Sequence, residues 1–152
     1  MADSDSPQEA GPIVFGYDGS ELANLAIEKA GRVLAGTRDA LVVCVWQPFD
    51  VGFLPQDGNE LTANDPARVH QAAERTAQEG ARRAAAAGFR AQALAVESSP
   101  TWKGIIDTAD EHDACLIVLG SHSRNRLAGA LVGSVASAVT HHSRRSVLIT
   151  HA

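Results

Sequence analysis

Five short apolar runs are spaced along the chain, with helical patterns or glycine-bearing loops between them. They are Pro12 to Tyr17, Ala40 to Trp46, Phe89 to Glu97, Ala114 to Leu119 and Arg145 to Thr150. In the first, Ile13, Val14 and Phe15 stand in a row before Asp18-Gly19 ends it. A strand with consecutive apolar side chains has no polar face, so it fits a position covered on both sides. The third run is a variant in which Ala91, Ala93 and Ala95 alternate with larger or polar residues.

The intervening segments supply the cover. Ser20 is a good N-cap, and after it Leu22, Leu25, Ala26, Val33 and Leu34 recur on one helical face up to a stop near Gly36. Asp65 and Pro66 take the N-cap and N1 positions of a long helix that runs through Ala87 and stops at Gly88. Its Arg and Glu residues read as a solvated face. Ser99 and Pro100 repeat the N-cap and N1 arrangement ahead of Trp102, Ile105, Ile106 and Ala109, which follow i, i+3, i+4, i+7 spacing. A last helix is expected over Leu131 to His142, with a frayed start. Strands and helices therefore alternate from end to end. That implies right-handed crossovers and an α/β fold: one domain with an open, parallel five-stranded sheet and helices on both faces. In such sheets ligands bind beyond the carboxyl ends of the strands, where strand order reverses. The loops after the first strand (Gly16 to Ser20) and the fourth (Gly120 to Ser134) are expected to meet there.

A chain of 152 residues is one domain of ordinary size and can bury a core without staples. The net charge of −5 leaves no basic surplus to neutralise a nucleic-acid backbone, so nucleic acid is not an expected partner. Cys44 and Cys115 both lie in apolar runs and read as buried free thiols. Residues 1–11 are polar and acidic, without the basic start and apolar run of a signal peptide, and are expected to be a disordered tail ahead of a domain over 12–152. No apolar segment approaches membrane-spanning length, so a cytoplasmic protein is expected. Residues 47–64 hold Pro48, Gly52, Pro55 and Gly58 without a period and read as a long irregular loop, in which Phe49, Phe53 and Leu54 need cover.

Chemistry concentrates after the fourth run. Leu116 to Leu119 stops at Gly120, a polar loop runs from Ser121 to Arg126, and Gly133-Ser134 opens an Ala/Val-rich helical stretch. Strand, glycine loop, Gly-Ser and helix together can offer backbone N–H groups to an anion. Glycines let the backbone approach closely, and a helix N-terminus favours negative charge. No G-x4-G-K-[ST] loop and no G-x-S-x-G elbow is present, and no general base is evident for hydrolysis, so any turnover should be slow. Asp18 reads either as a turn residue or, from its place at a strand's carboxyl end, as part of the site. His122, Arg124 and Arg126 read either as phosphate contacts or as exposed loop residues. Neighbouring His141 and His142 point about 100° apart on a helix and make no obvious metal pair.

Gly120-Ser121-His122-Ser123, nine further residues and Gly133-Ser134 resemble the G-x2-G-x9-G-[ST] signature of ATP-binding universal stress proteins. Val14 to Glu21 is similar to that family's first strand and Asp-Gly-Ser turn, Asp113 to Ser121 to its fourth strand, and Ser146 to Ile149 to its terminal strand. The resemblance covers most of the chain. It implies a Rossmann-like sheet of the adenine nucleotide alpha hydrolase-like kind, with strand order 3-2-1-4-5. It also implies ATP as ligand, with AMP or a cyclic nucleotide as alternatives and Mg²⁺ carried by the phosphates. Carried over by position, Asp18 meets the ribose or adenine side, Gly16 and Tyr17 line the same wall, and Val45 presents backbone to the adenine. Leu119 and Gly120 floor the pocket, and Gly133, Ser134 and Val135 face the phosphates. Ser123 departs from the pattern, standing where the signature has its second Gly. A serine adopts φ > 0 at a cost on the order of 1 kcal/mol, although its hydroxyl can donate a hydrogen bond. The resemblance further implies a stress-response sensor or partner-binding module with an unidentified protein partner, and a homodimer through Val147, Leu148 and Ile149. The alternative is a dimeric interaction protein of the same fold that binds no nucleotide.

Overall fold

A computed structural model describes residues 11–34, 37–48, 65–121 and 133–152. The chain runs β1 (Ile13–Gly16), α1 (Glu21–Val33), β2 (Asp39–Trp46), α2 (Pro66–Ala86), β3 (Arg90–Glu97), α3 (Thr101–Glu111), β4 (Leu116–Gly120), α4 (Ser134–His142) and β5 (Ser146–Thr150). All pairings are parallel and the order is β3-β2-β1-β4-β5, the expected topology. The central strand β1 pairs with β2 on one side and β4 on the other, with Phe15 in register with Val42 and Val118.

Alternation along β1 sorts its side chains to two cores. Ile13, Phe15 and Tyr17 pack with Ala23, Ala26, Ile27 and Ala30 of α1 and Ala84 of α2. Val14 turns the other way, to Ile105, Ile106 and Ala109 of α3 and Ala136 and Val139 of α4. Cys44 and Trp46 extend the first face beneath Val69, Ala73 and Ala77 of α2. Both faces of the sheet are thus covered, which is why consecutive apolar residues are tolerated in its strands.

Several local expectations are corrected. In α1 the buried residues are Ala23, Ala26, Ile27 and Ala30, whereas Val33 is 71% exposed and Leu22 and Leu25 are only partly buried. Both sets have helical spacing and share Ala26, and the one that packs against Phe15, Tyr17 and Val118 of the sheet is Ala23, Ala26, Ile27 and Ala30, with Leu34 at its edge. The N-cap of α3 is Pro100 rather than Ser99, the helix starts one residue later than expected, and no side chain caps it. Cys115 is partly rather than fully buried, with the Arg38 guanidinium donating to its sulfur at 3.3 Å; neither cysteine forms a disulfide. Gly11, assigned to the tail, packs against Asp113, where a Cβ would collide with the carbonyl oxygen. The caps of α1 and α2 are as expected: Ser20 accepts from the Ala23 N–H and Asp65 from the Ala67 N–H, with Pro66 opening α2. The stop at Gly36, the aromatic residues of the 47–64 loop and the start of the last helix at Leu131 lie outside the described residues.

Candidate functional site

Helices α1 and α2 cover one face of the sheet and α3 and α4 the other, so the winding reverses between β1 and β4. A crevice forms at such a point because the loops leaving the two strands turn in opposite directions. Here it is a cavity of about 200 Å³ on the α3/α4 side, lined by Gly16, Tyr17, Asp18, Ala23, Val43, Val45, Thr101, Ile105, Leu119, Gly120, Gly133, Val135 and Ala136.

Each wall has a local cause. Gly16 ends β1, and a Cβ there would lie 2.4 Å from Leu119 Cδ2 and 3.0 Å from Ile105 Cδ1. The missing side chain is the space over which those two residues lean. Gly120 ends β4 directly against the α1 backbone at Leu22. Tyr17 continues β1 by donating its N–H to the Val43 carbonyl at 2.9 Å. Its ring, however, lies on the opposite face: it packs with the α1/α2 core, crowds Gly80, and its hydroxyl donates to Asn24 Oδ1 at 2.6 Å. Burial pushes the Tyr17 phenol above its ordinary pKa, with the positive charge of Arg83 pulling weakly the other way. Gly19 has φ +82 and turns the chain so that Asp18 Oδ1 accepts the Ser20 N–H at 2.9 Å. Asp18 itself is exposed at the rim. Gly133 is the N-cap of α4, and no side chain caps that helix. Of the four N-termini, those of α3 and α4 have no side-chain cap, and both helices open onto the cavity.

The residues singled out from sequence are thus placed as follows. Gly16, Tyr17, Asp18, Val45, Leu119, Gly120, Gly133 and Val135 line one cavity. Ser134 is the exposed first residue of α4 and is not in the lining. Ser123, His122, Arg124 and Arg126 lie outside the described residues. Sequence reasoning missed Ala23, Val43, Thr101, Ile105 and Ala136. Val43 was within reach, because it stands two residues before Val45 on the same face of β2; the helical residues carried no signal beyond burial. Among the described residues, no group of three or more His, Cys, Asp or Glu side chains gathers to hold a metal. None of the described helices is long and apolar enough to cross a membrane.

Comparison with known proteins places this geometry. The chain is 25% identical over 146 residues to the universal stress protein Rv1636 of Mycobacterium tuberculosis, covering 91% of this chain and 94% of that one. A universal stress protein solved in complex with cAMP superposes with a TM-score of 0.63 at 28% identity, over 93% of this chain and 98% of that one. The Archaeoglobus fulgidus universal stress protein solved in complex with dAMP superposes with a TM-score of 0.61 at 23% identity, over the same shares of 93% and 98%. Residues 10–151 match the universal stress protein family, and the chain belongs to it.

Proposed function

We propose that this protein binds an adenine nucleotide in the cavity beyond β1 and β4 and acts in the stress response as a nucleotide-dependent sensor or partner-binding module in the cytoplasm. The observation that carries this reading is the convergence of Gly16, Asp18, Val45, Gly120 and Gly133 on one cavity at the reversal of the sheet. The donor set fits such a ligand. The walls are mostly apolar, suiting a base; a carboxylate stands at the rim, suiting a ribose diol; and the uncapped α4 N-terminus suits phosphate. The cavity volume of 200 Å³ is below the ~300–1,000 Å³ of whole-ligand pockets, so it would hold the nucleoside end and leave the phosphates toward α4. ATP is the first candidate, with AMP and cyclic nucleotides next, and Mg²⁺ would travel on the phosphate oxygens. The cAMP and dAMP complexes of two structural relatives support an adenine nucleotide. Asp18 is the one carboxylate among the described lining residues, and it is placed for ribose rather than for activating water, so turnover should be slow at most.

A second reading, a dimeric interaction protein without nucleotide, is favoured by one observation: Ser123 in place of the signature's second Gly. Calorimetric titration with Mg²⁺-ATP separates the two. Saturable one-to-one binding is expected, and no binding up to millimolar ATP would refute the first reading. Ser123→Gly is then informative in either case. Higher affinity identifies the serine as a brake on phosphate approach, and unchanged affinity shows that the loop accommodates it.

A further inference from the structure

The walls of the cavity are mostly apolar, which makes the polar side chains among them informative. Tyr17 keeps its hydroxyl on the far face of the sheet, bound to Asn24, and Asp18 sits exposed at the rim. Among the described lining residues, Thr101 is the remaining one with a polar side chain. It is half-buried at the first position of α3, and its hydroxyl has no hydrogen-bond partner among the described residues. A hydroxyl that faces a cavity and spends neither its proton nor its lone pairs on the protein is available to whatever occupies that cavity.

The position of Thr101 along the cavity follows from the packing of α3. Gly104, one turn further on, has no side chain, and a Cβ there would lie 3.0 and 3.1 Å from the two methyl groups of Val45 and 2.8 Å from Ser98 Cβ. The first turn of α3 therefore rests directly on the end of β2. On a helix, residues three and four apart share a face, so Thr101, Gly104 and Ile105 present one surface to that region. Strand order sets the rest: β2, whose Val45 end carries the first turn of α3, lies on one side of β1, while β4, which leads into α4, lies on the other. With phosphates at α4 and ribose at Asp18, the base falls at the Val45 end.

We infer that Thr101 is the specificity-determining residue of this cavity, its hydroxyl hydrogen-bonding to the edge of the purine base. The inference rests on the nucleotide-binding reading and deepens it: of the three polar side chains in the described lining, two divide the nucleoside between them, Asp18 at the sugar and Thr101 at the base. The hydroxyl is both donor and acceptor, so it can meet either the amino group or a ring nitrogen of adenine.

The test is calorimetric titration of the full chain and of Thr101→Val and Thr101→Ser with ATP and, separately, with AMP. Valine keeps the shape of threonine and removes only the hydroxyl. Thr101→Val should bind both nucleotides about 3- to 10-fold more weakly, the worth of one ordinary hydrogen bond, and Thr101→Ser should stay within about 2-fold of the parent. An equal loss for ATP and AMP puts the hydroxyl on the shared nucleoside, and a loss of the same size with ribose 5-phosphate, which has no base, would put it on the sugar and overturn the inference. A Thr101→Val variant that binds as tightly as the parent overturns the inference, and so does a loss confined to ATP, which would put the hydroxyl on the outer phosphates. Thr101→Ala is a second hydroxyl-free variant should valine disturb the fold, judged by circular dichroism. If the unsubstituted chain binds neither nucleotide, the nucleotide reading itself fails, a result distinguishable because it appears before any substitution is made.

Discussion

Gly16 and Gly120 end neighbouring strands and flank the same cavity, yet a methyl group at each meets a different kind of obstacle. At Gly120 it would lie 2.7 Å from a backbone oxygen of α1, which cannot move without moving the helix. At Gly16 it would meet the far ends of Leu119 and Ile105, which can rotate. Gly120→Ala should therefore cost about 1–3 kcal/mol in urea denaturation, the usual range for overpacking. Gly16→Ala should cost less stability but push Leu119 into the cavity, so its main effect should be weaker ATP binding. Equal stability losses for the two would contradict this assignment of the obstacles. Tyr17 gives a prediction in pH. Burial disfavours its phenolate, so the folded chain holds the proton more tightly than the unfolded one. The stability from that preference is present in full below the unfolded phenol's value of about 10 and is lost as pH rises through the higher folded value. Denaturation midpoints should fall more steeply above pH ~10 in the parent chain than in Tyr17→Phe. As the chain has a single tyrosine, absorbance near 295 nm reports that titration alone. Residues of this kind were readable from sequence where they belong to a motif, as Gly16, Asp18, Gly120 and Gly133 do. Thr101, Ile105 and Ala136 were not, because a helical residue facing a cavity has the same spacing as one facing a filled core.

At the scale of elements, the sheet was easier to read than the helix surfaces laid on it. Strand periods and turn residues are local, so all nine elements were anticipated, with boundaries moved by a few residues where they are described. Which stripe of α1 faces inward was not local: two stripes share its period, and packing against β1 and β4 buries the one with Ala23, Ala26, Ile27 and Ala30. A similar long-range tie closes the end of the sheet remote from the cavity. Arg145, just before β5, donates from Nε to Asp110 at 2.7 Å, and from Nη1 to Asp113 at 3.2 Å and to the Ala114 carbonyl at 2.5 Å. It thereby joins the end of α3 and the turn into β4 to the start of β5. Hydrogen bonding to Asp110, and to a lesser degree to Asp113, raises the guanidinium's already high pKa. The Asp113 carboxylate is 96% exposed and contributes little through solvent, whereas the backbone carbonyl of Ala114 would lose its guanidinium donor. Arg145→Ala should lower stability by about 1–2 kcal/mol, and Arg145→Lys should recover only part, because an ammonium cannot fork across the same acceptors. Full recovery by lysine in thermal or urea unfolding would reduce the tie to bare charge.

For the whole molecule the open question is what happens at the edges of the sheet. Among the described residues, both β3 and β5 pair on one side only. The β3 edge carries exposed Arg90, Gln92 and Glu97, and Arg90 is ion-paired to Asp39, the kind of charge that discourages edge pairing. The β5 edge reads Ser146-Val147-Leu148-Ile149-Thr150, with no charge, and its apolar residues are only partly buried. We therefore expect a homodimer through β5, seen as twice the 15.9 kDa chain mass in size exclusion with light scattering at micromolar concentration. A monomer throughout that range would count against it, and a dimer that persists after charges are introduced on β5 would place the interface elsewhere. Length, strand pattern and helix caps were enough to specify a parallel α/β sheet, whose cavity lies at its carboxyl edge, because backbone preferences and apolar periodicity act over a few residues and survive without knowledge of their neighbours. Which helical stripe is buried, where Thr101 stands and how far the cavity extends depend on contacts between segments tens of residues apart. Those contacts exist only once α3 has settled on Val45 and α1 on Gly120.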